Sequence, residues 1–319
     1  MRRAAVMMVA MLAAGGVRAQ TAYVSNEKDD TISVIDVKSM TVTQTVKVGR
    51  RPRGITLTPD FKQLYICASD SDTIQVMDLA TLKIVHDLPS GEDPEQFTLH
   101  PDGRRLYVAN ENNNVVTVID TQTRRVIGQV DVGIEPEGMA VSPDGKVAVN
   151  TSETTNMVHW FDADKLTLLD NTLVGSRPRF ALFDKEGRTL WVTAEVGGTV
   201  HVIDAATHKE RQTISFAIPG IPKDKIQPVG LRLSNDGKLA FVALGPANHV
   251  AVIDTASLKV VKYLLVGRRV WHLALTPDGS RLLATNGVSG DVSVIDTERM
   301  EVLKSIPVGR YPWGVAIRP

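Results

Sequence analysis

The sequence predicts an all-β protein: a seven-bladed β-propeller of four-stranded antiparallel blades, its ring closed by the C-terminal strand completing the N-terminal blade. Three observations carry this. One short motif recurs seven times, as SVIDV, QVMDL, TVIDT, HWFDA, HVIDA, AVIDT and SVIDT. Its aspartates are Asp36, Asp78, Asp120, Asp162, Asp204, Asp254 and Asp296, spaced 42, 42, 42, 42, 50 and 42 residues apart, so one eight-residue insertion interrupts a fixed period. Each unit consists of short alternating runs rich in Val, Ile and Thr with Gly, Pro, Asn and Asp between them, which is strand and turn chemistry. Both chain ends are fractions of the same unit.

Each unit has four segments. Strand A, such as GITLTPD or GMAVSPD, runs into a turn whose fullest form is PDG, at Pro101-Asp102-Gly103, Pro143-Asp144-Gly145 and Pro277-Asp278-Gly279. Strand B follows as LYVAN or LWVTA, then a polar loop, then strand C with the VID motif. Strand D, such as RVIGQVDVG, closes the unit. Four antiparallel strands in about 42 residues is the size of one propeller blade. Stacked blades cover both sheet faces, so the C strands carry apolar residues at successive positions. The N-terminal AYVSNEKDDTISVIDVKSMTVTQTVKV supplies B, C and D, and the C-terminal GVAIRP supplies only an A. The last segment therefore completes blade 1 and removes the exposed edges of an open array.

Residues 1–19 differ from the rest. Arg2 and Arg3 precede an apolar run from Ala4 to Ala14, and Val17 and Ala19 form a small-residue cleavage site before Gln20. This is the pattern of a secretory signal peptide, so residues 20–319 are expected to be one exported, periplasmic propeller domain. The formal net charge of the whole chain is +0, which is not the charge of a nucleic-acid binder. No stretch approaches the roughly 20 apolar residues of a membrane span, and a monomer is expected. The single cysteine, Cys67, excludes an internal disulfide and a C-x-x-C-H haem attachment. It sits where other repeats have Ala109, Thr193 and Thr285, and reads as a small strand residue.

Chain direction puts the A–B and C–D turns on one face and the B–C loops and D–A connections on the other. The seven VID aspartates then read as turn-holding residues. The opposite face varies between repeats, and any site belongs there. Counting 24 residues back from each aspartate gives Gly54, Gln96, Gly138, Phe180, Gly230 and His272, with Gly314 as the C-terminal copy. Gly fits a close backbone approach, whereas Gln96, Phe180 and His272 would narrow the channel mouth. The residues just before are Arg53, Glu95, Glu137, Arg179, Val229, Trp271 and Trp313. Two positions earlier come Arg51, Asp93, Glu135, Arg177, Gln227, Arg269 and Tyr311. Blades 3 and 4 are thus acidic and flanked by arginines, which reads either as a neutralising belt or as a carboxylate site with Glu95 and Glu137 as metal candidates. Blades 7 and 1 bring Arg268, Arg269, Trp271, His272, Arg310, Tyr311 and Trp313 to one sector. Arginines with aromatics suit a flat anionic ligand or a protein docking patch, and Arg53 and Arg179, beside the acidic blades, are further binding candidates; the other reading is that the tryptophans plug the channel. The insertion from Phe216 to Gln227 lies on this face, and its prolines predict a stiff, extended loop.

The stretch LYVANENNNVVTVIDTQTRRVIGQVDVG, Leu106 to Gly133, resembles the YVTN family of β-propeller repeats, and the likeness spans residues 22–319. VNTSETTNMVHWFD (149–162) and IPGIPKDKIQPVG (218–230) resemble more narrowly the exported propellers associated with pyrroloquinoline-quinone-dependent catabolism. That resemblance implies a periplasmic accessory or binding protein with a quinone-dependent dehydrogenase or a cytochrome c as partner. It makes pyrroloquinoline quinone a candidate ligand, while no cofactor is required by the residues themselves. Catalytic signatures are absent. The seven histidines are scattered without H-E-x-x-H spacing, and there is no G-x-S-x-G elbow. His159 and His201 share one strand-C position and read as core residues. The alternative to a binding protein is a lactonase-like hydrolase using the carboxylates at the mouth.

Overall fold

The computed structural model describes residues 20–319; the expected signal peptide, residues 1–19, lies outside the described residues. Seven four-stranded antiparallel sheets follow one another around a ring. Among the described residues there is no α-helix, only the 3-10 turns Ser69–Ser71, Glu111–Asn113 and Lys223–Lys225. Blade 1 takes its A strand, Pro312–Arg318, from the C-terminus and pairs it with Thr21–Asn26, so that Ala22 faces Ile317 and Val24 faces Val315. Beneath this seam Ala22, Val24, Ile35 and Val315 of blade 1 pack on Leu283, Val292 and Val294 of blade 7 in one buried cluster. Closure is therefore held by hydrophobic burial as well as by the strand ladder.

Burial follows position in the blade. In blade 3 the B strand Arg105–Asn110 and the C strand Val115–Asp120 are buried at nearly every residue, while the outer D strand Arg125–Asp131 is largely exposed. Neighbouring blades cover both faces of the inner strands, which is why alternation survives only at the rim.

Backbone hydrogen bonds fix the two ends of the ring. At one end the C–D turns donate to the A–B turns, as in Thr121 N–H to the Arg104 carbonyl and Ala205 N–H to the Arg188 carbonyl. There all seven VID carboxylates accept amides of their own C–D turns, from Ser39, Thr81, Thr123, Lys165, Thr207, Ser257 and Arg299. The Ser39 amide accordingly holds the Asp36 carboxyl below the usual carboxylate range. At the other end the B–C loops donate to the D–A connections, as in Glu27 N–H to the Tyr311 carbonyl and Glu195 N–H to the Arg177 carbonyl.

His159 and His201 act as anchors within their blades. Each Nε2 accepts a D–A glycine amide, from Gly133 and Gly175 respectively, at 2.9 Å. Cys67 is fully buried in its B strand. The insertion departs from the extended loop expected of it. Phe216 and Ile226 are buried, with Ile218 and Ile221 packed beside them, and the 3-10 turn Lys223–Lys225 folds the segment back. The apolar residues between its prolines gain more from packing on blades 5 and 6 than from standing in water.

Candidate functional site

The D–A connections aim the site. Arg51, Asp93, Glu135, Arg177, Arg269 and Tyr311 all adopt φ between 50° and 58°, a left-handed conformation that costs a non-glycine residue about 1–2 kcal/mol. Five of them donate their backbone N–H to a side chain of the preceding blade's B–C loop: Arg51 to Asp30, Asp93 to Asp72, Glu135 to Asn114, Arg177 to Asn156 and Arg269 to Asn248. Proline follows all but Arg269 of the six and fixes φ at the start of the A strand. Surrounding structure thus imposes the strained turn and turns these side chains toward the ring.

What they build is a buried ion network. Arg51 reaches Asp93 and Glu95, each at 2.8 Å. Arg53 pairs with Glu95 and lies 3.6 Å from Glu27. Arg179, 4% exposed, bonds Glu153 and stands 3.3 Å from Glu137 and 3.6 Å from Glu195. Arg177 adds a 2.7 Å contact to Glu153, and Arg269 reaches across to Glu195 at 2.6 Å. The neutralising belt is the arrangement the structure shows, and it is wider than the four blades expected.

Its charges nearly balance. Five guanidiniums, of Arg51, Arg53, Arg177, Arg179 and Arg269, face seven buried or half-buried carboxyls, of Glu27, Asp93, Glu95, Glu111, Glu137, Glu153 and Glu195. Burial works to raise the Glu95 carboxyl, but Arg53 and Arg51 hold it below its ordinary range. Burial, with Glu95 and Asp93 alongside, pushes Glu111 up to about 8. Burial also lifts Glu137 well above the usual range, against the pull of Arg179 and with Glu95 and Glu153 adding to the rise. Burial likewise raises the Asp93 carboxyl, with Glu95 adding to the rise and Arg51 opposing it.

Glu95 and Glu137, the expected metal candidates, are not gathered as a pair. Glu95 is bound by two arginines, and Glu137 shares Arg179 with Glu153. The carboxyls that do converge are Asp93, Glu95 and Glu111, with ligand atoms within 4.8 Å of one another.

The sector on blades 7 and 1 separates by depth. Arg268, Arg310 and Tyr311 are exposed, and Arg310 donates to Asp29. Val288, 46% exposed, sits beside Arg268 through its amide on the Arg268 carbonyl. Trp271 is half-buried with the Arg269 guanidinium 4.1 Å over its ring. Gly287 stands where blades 1, 3, 4 and 5 carry glutamate, and a Cβ there would lie 2.4 Å from the Trp271 Nε1, so the indole fills the vacated place. His272 and Trp313 are buried, and their rings lie 4.0 Å apart. Of the residues expected to bind, His272, Trp313 and Arg179 belong to the interior, and Trp313 takes the channel-plugging place that was the other reading. Arg53 is also turned inward, 5.6 Å over the Trp313 ring.

Below the network Gln96, Phe180, His272 and Trp313 floor the central channel. Gln96 donates to the Arg179 carbonyl at 3.1 Å, and Phe180 lies 5.7 Å from His272. These large residues alternate with glycines. A Cβ on Gly138 would meet the Arg179 carbonyl at 2.8 Å, and one on Gly230 the Trp271 carbonyl at 2.6 Å, so close approach is the reason for glycine there.

Sequence reasoning missed Glu27, Glu111, Glu153 and Glu195. Their signal was available: each stands nine residues before a VID aspartate. It also missed Arg232, on the channel wall.

The sequence matches the YNCE-like β-propeller family over residues 3–88 and 64–231. No curated protein matches the chain. Among solved structures, the hydrazine synthase of Kuenenia stuttgartiensis aligns at 23% identity over 87% of this chain and 92% of its own, with a TM-score of 0.79. A candidate 6-phosphogluconolactonase from Bacteroides fragilis aligns at 18% identity over 94% of this chain and 98% of its own, with a TM-score of 0.78. The dihydro-heme d1 dehydrogenase NirN, in complex with DHE, aligns at 16% identity over 93% of this chain and 74% of its own, with a TM-score of 0.71. At such identities the likeness is one of fold.

Proposed function

From the fact that this chain belongs to the YNCE-like β-propeller family, we propose that it is an exported binding protein whose B–C and D–A loop face docks an acidic partner protein in periplasmic oxidative catabolism. One observation carries the reading. The buried carboxylates of this face are occupied by arginines, while Lys28, Arg268, Arg310, Tyr311 and Val288 remain exposed on the sector of blades 7 and 1. A basic, partly aromatic patch beside an exposed apolar side chain is the composition of a docking surface. The resemblance to propellers of quinone-dependent catabolism supports a dehydrogenase or cytochrome c as the partner class. The pattern of residues 1–19 supports export.

The test is binding of the purified chain to a quinone-dependent dehydrogenase and to a cytochrome c from the same host, by surface plasmon resonance at low and high salt. Binding should weaken with salt, and the pair Arg268→Glu and Arg310→Glu should weaken it by about tenfold or more, as expected of rim charges that steer association. Binding to neither protein, or binding that ignores both salt and the charge reversals, would rule the docking face out.

A second reading has one observation in its favour. Asp93, Glu95 and Glu111 converge, and Glu111 holds a proton near neutral pH, which is a general-acid arrangement open to a lactone. Hydrolysis of gluconolactones by the purified chain, lost in Glu111→Gln, would put this reading first.

A further inference from the structure

The central channel contains a charge that neither the ion network nor the docking face uses. Twenty-two residues before each VID aspartate the A strands carry Thr56, Thr98, Ala140, Leu182, Arg232 and Ala274, with Ala316 as the C-terminal copy. One level of the channel wall therefore holds six small or apolar side chains and one arginine. The Arg232 guanidinium lies 4.9 Å over the Phe180 ring, and its Nη1 donates to the Leu231 carbonyl at 2.7 Å. Arg53 and Arg179 each have several carboxylates; Arg232 has none within ion-pair distance among the described residues. Solvent reaches it only along the channel. Burial lowers its pKa to about 10, with no acid to raise it again. Arg232 is half-buried on the channel wall, and a cation there without a carboxylate partner gains nothing from an ion pair, so packing does not account for it.

The space before it is a ligand site in size and lining. The cavity measures about 430 Å³, and Phe97, Met139, Phe180, Leu182 and Phe183 form apolar walls. At its closed end two polar atoms have no partner: Nε1 of Trp313, a residue 1% exposed, and Nε2 of His272, a residue 4% exposed. Burial, with the Arg232 charge next, lowers the His272 imidazole well below its ordinary range. At the open end Asp184 and Lys185 contribute one charge of each sign, which leaves Arg232 to set the sign of the channel.

We propose that the central channel binds a small organic monocarboxylate, its carboxylate held by Arg232 and its apolar body lying against Phe97, Phe180 and Phe183. A guanidinium fork matches a planar carboxylate in geometry. The Trp313 indole N–H at the floor supplies a further donor. One cation matches one anion, and a second carboxylate would be left without a partner among aromatic walls. The channel opens on the A–B turn side, so this site is separate from the docking face and stands or falls without it.

The experiment uses the purified chain with benzoate and hexanoate as probes and benzyl alcohol as the uncharged control, read by saturation-transfer NMR and by thermal unfolding. Benzoate should bind and raise the Tm, and benzyl alcohol should do neither. Arg232→Gln should weaken benzoate binding at least tenfold, while the surface variant Arg299→Gln keeps it. Absence of benzoate binding, equal binding of benzyl alcohol, or undiminished binding by Arg232→Gln would overturn the proposal. Tighter binding of inorganic phosphate than of benzoate would overturn the carboxylate assignment. The comparison of benzoate with benzyl alcohol needs only the wild-type chain, so it decides even if Arg232→Gln fails to fold.

Discussion

The two ends of this ring use carboxylates in opposite ways. At the A–B and C–D end each aspartate bonds amides two or three residues further along its own turn, as Asp254 does with Ser257. At the B–C and D–A end the acids pair with arginines far along the chain, 26 residues away for Arg179 with Glu153 and 74 for Arg269 with Glu195. The amide bond of the first arrangement is repeated in all seven blades. The second differs in every blade and is enclosed. Local bonding makes a uniform scaffold, whereas bonding between blades makes an asymmetric surface on which binding can depend.

The sharpest way to break this contrast is to remove a cation from the second end. Arg179→Met should destabilise the protein by about 3–5 kcal/mol, because it leaves Glu137 buried without its arginine and Glu153 with Arg177 alone. Urea unfolding reads this, and adding Glu153→Gln to the same chain should restore part of the loss. An unchanged unfolding midpoint would mean that the network contributes nothing between blades.

A smaller effect should appear in the pH dependence. The folded-state pKa of Glu111, about 8, lies above its ordinary value of 4.5. Its contribution is therefore fully present below about pH 4.5 and is lost as pH rises through 8. The wild-type Tm should fall across that window relative to Glu111→Gln, on the order of 2–4 °C. A parallel pair of profiles would show that Glu111 is ionised in the folded protein.

The least effect belongs to the first end. Asp254→Ala removes bonds confined to one exposed turn and should lower the Tm by about 1 °C. A loss as large as that of Arg179→Met would erase the distinction between the two ends.

Almost all of the fold was legible because its signals are periodic. Spacing of the VID aspartates set the blade count, and the fragments at the two ends set the closure. The site was legible only in part. Arg51, Arg53, Glu95, Glu137 and Arg179 were found by counting back along the repeat, but their partners Glu27, Glu153 and Glu195 lie in B–C loops, Glu27 and Glu153 on the preceding blade. Depth was the other gap. Trp313 and Tyr311 are two residues apart, yet Trp313 is 1% exposed and Tyr311 is 42% exposed. Nothing in their composition separates them.

By itself the sequence determined the elements and their order, since strand alternation, turn chemistry and a fixed period act over a few residues and need no knowledge of neighbours. Only the tertiary structure decided which arginine meets which glutamate, which tryptophan faces water, and that Arg232 stands alone in the channel. Those outcomes depend on desolvation and on contacts between blades, and both come into being only when the ring closes.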